Sequence, residues 1–98
     1  MTIERKNDND KVTILLGGRL DTATAPELEA EIMKCQNTVK DLVLDLKDLE
    51  YTSSAGLRVI LKAQKMMNTQ GSMKIINVND DVMEVFDITG FLDILNVE

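Results

Sequence analysis

Apolar Val12, Ile14 and Leu16 alternate with Lys11, Thr13 and Leu15, the period of a strand with one buried face. Ahead of it, Thr2 to Lys6 predicts an edge strand. Asn7-Asp8-Asn9-Asp10 predicts the turn between them, because short Asn and Asp side chains hydrogen-bond their own backbone. Gly17-Gly18 ends the second strand on this reading, and Arg19-Leu20-Asp21-Thr22-Ala23 leads into a helix. Thr24-Ala25-Pro26-Glu27 has the form of a capping box, with Thr24 as N-cap, Glu27 reaching back and Pro26 tolerated in the first turn. Ala25, Leu28, Ile32 and Cys35 then make an apolar stripe against Glu27, Glu29, Glu31 and Lys34, and the helix is expected to end near Gln36-Asn37.

Val39 to Leu46 has few polar interruptions, the pattern of a strand in a sheet covered on both faces. Lys47-Asp48-Leu49-Glu50 reads as a connector, followed by a long helix from about Ser54 to Asn68. One face of that helix carries Leu57, Ile60, Leu61, Gln64 and Met67; the opposite stripe is Ser54, Arg58, Lys62, Lys65 and Thr69. Gln70-Gly71-Ser72 closes it, and Met73 to Val78 makes another strand. Asn79-Asp80-Asp81 caps a third helix with Val82, Val85 and Phe86 on its buried face. Thr89-Gly90-Phe91-Leu92 is a helix stop with a left-handed glycine, and Ile94 to Val97 a short final strand or helical turn. The order predicts one α/β domain over residues 1–98, a small mixed β-sheet with helices packed mainly on one side, since each crossover is right-handed. The two-sided burial suggested for the third strand conflicts with that packing.

Composition narrows the function. At 98 residues there is room for one core, and with only Tyr51, Phe86 and Phe91 as aromatics that core is aliphatic. Acidic residues outnumber basic ones by 17 to 11, for a net charge of −6 without any basic run, which argues against nucleic-acid binding. No apolar run approaches a membrane span and Met1-Thr2-Ile3-Glu4-Arg5 is not a signal peptide, so a cytoplasmic location is expected. The single cysteine, Cys35, reads as a small half-buried apolar residue. The absence of histidine removes His triads, His metal sites and His bases, and no cofactor or metal is expected. Ser54 as an enzymatic nucleophile would need Lys62 or Lys65 as base, and an exposed stripe does not supply the depressed pKa this requires.

The candidate chemistry lies in Glu50-Tyr51-Thr52-Ser53-Ser54-Ala55-Gly56-Leu57. Adjacent hydroxyls stand at a helix start, where backbone N–H groups lack intrahelical partners and the macrodipole is positive. They either cap the helix or hold an anion. Ala55 and Gly56 are expected to keep the first turn narrow enough for another backbone or a phosphate to approach. Ser54 should look outward beside Arg58, a stripe that is otherwise an ordinary solvated face.

Four pieces in order resemble STAS domains, specifically the stand-alone bacterial anti-sigma-factor antagonists. They are Gly18-Arg19-Leu20-Asp21 with Thr24 and Leu28; Leu42-Val43-Leu44-Asp45-Leu46; Tyr51-Thr52-Ser53-Ser54-Ala55-Gly56-Leu57; and Val85-Phe86-Asp87-Ile88-Thr89-Gly90-Phe91. The resemblance implies a protein that, unphosphorylated, binds an anti-sigma factor with a GHKL-type serine kinase fold and frees a sigma factor. Phosphorylation of a serine at the start of the second helix weakens binding, and a PP2C-type phosphatase reverses it. Alignment on Ala55-Gly56-Leu57 makes Ser54 the acceptor, with Ser53 a secondary candidate. Better-known members carry an aspartate where this chain has Ser53. Asp21 matches a family aspartate beside the acceptor, and the implied partner surface is Asp21, Thr22, Thr52, Ser53, Ser54, Ala55, Gly56, Arg58 and Lys62. The alternative is a STAS subunit of another assembly, a lipid-transport ATPase or signalling scaffold, binding without phosphorylation.

Overall fold

Pairing between neighbours, more than local propensity, sets the strand lengths. In the computed structural model, which describes residues 1–98, the elements are β1 (Thr2–Asp8), β2 (Lys11–Leu20), α1 (Ala25–Met33), β3 (Asp41–Thr52), α2 (Ser54–Gln70), β4 (Ser72–Ile76), α3 (Asp80–Ile88) and a 3₁₀ turn over Phe91–Asp93. The sheet order is β1-β2-β3-β4, with the first pair antiparallel and the other two parallel. It is a mixed sheet in an α/β fold, as the element order predicts.

The expected ends of β2 and β3 are corrected. Gly17-Gly18 does not stop β2, and Lys47 to Glu50 is not a connector. Both strands continue as a parallel pair to Leu20 and Thr52, with register shifts between Leu15 and Gly17 and between Gly18 and Arg19. The glycines make the irregularity: Gly18 sits at φ +85°, and a Cβ on Gly17 would meet Thr2 Oγ1 of β1 at 2.5 Å. β4 likewise stops at Ile76, before the expected Val78, because Asn77 turns left-handed at φ 59°. Helix α1 ends at Met33 and runs on as turns to Thr38. Of the two forms expected for the Ile94–Val97 tail, a strand-like one is seen: after the 3₁₀ turn at Phe91–Asp93, Val97 bridges Ile75 in parallel at the outer edge of β4.

The rows Val12–Leu42–Met73 and Ile14–Leu44–Ile75 lie on one face of the sheet, all buried. Leu28 and Ile32 of α1, Leu57, Ile60, Ala63 and Met67 of α2, and Val82 and Phe86 of α3 complete the core against them. The conflict over β3 resolves at Val43. It points to the other face yet is only 3% exposed, lying in register between half-buried Thr13 and Lys74. Cross-strand neighbours of this kind, one with a long alkyl stem, screen a small β-branched side chain without a second helix layer.

The end of α2 is fastened to the connection before β3. Gln70 Nε2 donates to Cys35 O at 2.8 Å and Val39 O at 2.6 Å, while its Oε1 accepts from Asn37 N. Next to it, Gly71 closes α2 as its C-cap, as expected, in an extended conformation at φ 176°, and its N–H donates to Met67 O. A Cβ there would lie 1.9 Å from Lys40 O. Gly90 is the reverse case, left-handed at φ +77° with open space around it. Gly71→Ala should therefore cost about 2–3 kcal/mol through displaced backbone, and Gly90→Ala about 1 kcal/mol through the left-handed penalty. Urea unfolding of both variants checks this order; equal losses would mean that the Lys40 contact yields without effect.

Candidate functional site

Parallel pairing brings two loop starts to one edge of the sheet. Leu20 and Thr52 are the last partners of β2 and β3, so Asp21 and Ser53 follow side by side, and Ser53 N donates to Leu20 O at 2.8 Å. At that point the chain enters α2. Ser53 is the N-cap, extended at φ −95° and ψ 176°, and its hydroxyl accepts a long hydrogen bond from Gly56 N at 3.5 Å.

The three adjacent hydroxyls have separate environments. Thr52 is 2% exposed, and its Oγ1 donates to Ser53 O at 3.2 Å. Ser53 is half-buried and occupied by the cap. Ser54 is the first residue of a 17-residue helix, exposed, with no side-chain hydrogen bond, and the first turn of α2 contains no carboxylate to offset its positive end.

Gly56 allows a close approach, as expected, and it is another element of the fold that makes it. It is buried, and a Cβ on it would meet Leu20 Cγ at 2.5 Å and Thr52 Oγ1 at 2.6 Å. The close approach it permits is that of α2 onto the end of β2, within the fold. Of the residues the resemblance assigns to a partner surface, Thr52 and Gly56 are thus enclosed. Thr22, Ser54, Arg58 and Lys62 are exposed, while Asp21, Ser53 and Ala55 are half-buried.

Along the outer stripe, Arg58, Lys62, Lys65 and Thr69 all face solvent. Lys62 pairs with Glu29 of α1, an exposed bridge of small energetic value. Arg58, one turn after Ser54, has no ion pair.

The β2–α1 turn is organised by Asp21 and not by the capping box predicted at Thr24. Asp21 Oδ1 accepts from Ala23 N at 3.0 Å and Thr24 N at 3.1 Å. The Thr24 hydroxyl accepts from Asp21 N and donates to Arg19 O, both at 2.9 Å, and makes no capping bond to the helix end. These contacts hold the Asp21 carboxyl below its ordinary value of 3.8. The Thr24 backbone N–H is the largest cause; the Thr24 hydroxyl, the Ala23 N–H and the Arg19 charge act in the same direction, against desolvation.

Two features escaped the sequence reading. The Arg19 guanidinium lies over the Tyr51 ring, 4.2 Å from its centroid, and Asn79, whose Oδ1 caps Val82 N as expected, also pins α3 to β3 by donating to Leu49 O at 2.7 Å. Both depend on β2 and β3 running to Leu20 and Thr52, which local sequence did not signal. Cys35, expected to be half-buried, is fully enclosed, and burial pushes its thiol up. No helix is long and apolar enough to cross a membrane.

A mixed sheet with helices on one face, presenting a turn and an uncovered helix start at the same edge, defines a small α/β protein whose exposed chemistry is a surface. The STAS domain model matches residues 2–98, and the chain belongs to that family. It is 34% identical over 94 residues to the anti-sigma-B factor antagonist of Bacillus subtilis, an alignment covering 95% of this chain and 85% of that protein. The crystal structure of an anti-sigma factor antagonist from Mycobacterium paratuberculosis superposes with a TM-score of 0.88 at 20% identity, covering 98% of this chain and 83% of that one. The Bacillus cell fate determinant SpoIIAA in its phosphorylated form gives 0.78 at 19% identity, covering 99% and 91%. Its unphosphorylated form also gives 0.78, at 18% identity with 99% and 87% covered.

Because the native pKa of Asp21 is depressed, its ionised carboxylate stabilises the fold above the unfolded value of 3.8, and that contribution is lost as pH falls through the native value. Asp21→Asn keeps an oxygen acceptor but does not titrate. The stability advantage of the native protein over Asp21→Asn should be constant from about pH 7 to 5 and shrink below about pH 4, read by urea unfolding across that range. An unchanged gap at low pH would show that the turn does not depend on the charge.

Proposed function

We propose that this chain is an anti-sigma factor antagonist, acting as a single cytoplasmic domain without direct contact to nucleic acid or membrane. Unphosphorylated, it binds an anti-sigma factor with a GHKL-type serine kinase fold through the start of α2 and the β2–α1 turn, and a sigma factor is released. The kinase then transfers the γ-phosphoryl group of ATP to Ser54. An Oγ–P bond forms, the bond to the ADP oxygen breaks, and the Ser54 hydroxyl proton passes to a base on the kinase. A PP2C-type phosphatase hydrolyses the ester and restores binding.

The observation that carries this reading is the sorting of the hydroxyls. Ser54 is exposed and unbonded, whereas Thr52 is buried and Ser53 is committed to capping α2. Ser53, the secondary acceptor, is half-buried and its hydroxyl already accepts from Gly56 N. A phosphate of about −1.5 to −2 charge on Ser54 instead meets the positive end of α2, one turn from Arg58. It favours the helix and burdens only the contact surface, where it must be desolvated and faces the Asp21 carboxylate. That the fold superposes equally on the two forms of SpoIIAA supports a switch without refolding.

A STAS subunit of another assembly, such as a lipid-transport ATPase or signalling scaffold, is the second reading. Ser53 favours it, standing where the resemblance calls for aspartate. Intact-mass analysis after incubation with ATP and the kinase-like protein encoded nearest to this one separates the two. A single phosphate, absent in Ser54→Ala, is expected, with amide shift changes confined to the start of α2 and the β2–α1 turn. Binding without phosphate addition would favour the second reading, and shift changes throughout the core would overturn the local switch.

A further inference from the structure

Beside the start of α2 lies a groove of about 230 Å³ lined by Glu50, Tyr51 and Thr52 from the end of β3 and by Asp81, Val82 and Val85 from α3. It is smaller than the roughly 300–1,000 Å³ of sites for drug-sized ligands, so its scale is that of a side chain. Its walls are of two kinds. Val82, Val85 and the Tyr51 ring supply apolar surface, while Glu50 and Asp81 supply exposed carboxylates with no ion pair in the protein.

The groove is held in shape. Asn79 bonds both Leu49 O and Val82 N, fixing α3 against β3, and Arg19 braces Tyr51 from β2. The cation on that ring is already engaged: Arg19 stacks on it, and its charge acts on Asp21.

We propose that this groove receives a basic side chain of the partner protein, its alkyl stem against Val82, Val85 and Tyr51 and its cationic head between Glu50 and Asp81. Arginine fits best, because a planar guanidinium both stacks on an aromatic ring and bonds carboxylates in parallel. Thr52 lines the groove and precedes Ser53-Ser54 directly, so a partner docked at the start of α2 reaches the groove in the same contact. That last step rests on the proposed function; the groove's preference for a cation does not.

The test is a ¹⁵N-correlation NMR titration of the full chain with the peptide acetyl-Gly-Ala-Arg-Ala-Gly-amide, repeated with citrulline, its uncharged isostere, in place of arginine. The arginine peptide should shift the amides of Tyr51, Thr52, Val82 and Val85 saturably, with an affinity at least about tenfold above the citrulline peptide, a difference of about 1.4 kcal/mol. The double variant Glu50→Gln/Asp81→Asn should lose that difference. Small shifts spread over all acidic surfaces, equal affinity for the two peptides, or an unchanged response in the double variant would overturn the proposal. Ser54 is untouched in that variant, so phosphate addition by the kinase-like protein gives a separate readout. In the native protein, no peptide preference with normal phosphorylation removes the groove alone, whereas a clear preference without phosphorylation removes only the proposed kinase.

Discussion

The contact between Gly56 and the Leu20 side chain sets the geometry of the whole functional edge. With no room for a Cβ between them, the first turn of α2 lies directly on the end of β2, and the helix can start only where Ser53 N reaches Leu20 O. From there, a helix of about 3.6 residues per turn fixes what each residue faces. Gly56 and Leu57 turn inward, while Ser54 and Arg58, four apart, share the outer stripe. The separation of three neighbouring hydroxyls into one buried, one capping and one exposed follows from this single packing constraint.

The parallel pairing of β2 with β3 spreads the same constraint across the surface. Successive partners, Arg19 with Tyr51 and Leu20 with Thr52, deliver the stacked pair, the Asp21 turn and the start of α2 to neighbouring positions. An Asx turn built on Asp21 then holds the β2–α1 loop by side-chain acceptance of two backbone N–H groups, so the loop keeps its form without burying apolar surface. Asn79 plays the matching part on the other side, tying α3 to Leu49 and closing the groove over Tyr51.

Much of this was legible in the residues. Alternation at Val12, Ile14 and Leu16, the helical stripe from Leu57 to Met67, the Asn79 cap and the left-handed Gly90 all report local preferences that the tertiary structure keeps. The misread positions are those where a distant neighbour decides. Gly17-Gly18 looks like a strand end because glycine weakens strands, yet β1 and β3 on either side carry β2 through it as an irregularity. Thr24 and Glu27 fit a capping box by spacing, but Asp21 and Arg19 claim the Thr24 hydroxyl first. Gly56 shows the limit most clearly: the sequence marks a place where something approaches closely, and only the fold reveals that it is Leu20.

Under the proposed switch, the energetic effect of a phosphate on Ser54 divides unequally between fold and partner. Within the domain, it would stand at an uncompensated helix start near an unpaired Arg58, so the domain has no reason to rearrange. For a partner covering Ser54 the position reverses, because a dianion must be stripped of water in an edge that already carries Asp21, Glu50 and Asp81. A cationic partner group placed between Glu50 and Asp81 would sit beside this new charge and could be drawn toward it, out of the groove that positions it. The free energy of such a switch would then be stored in the interface, and the domain itself would need to supply only a hydroxyl held rigidly at the surface.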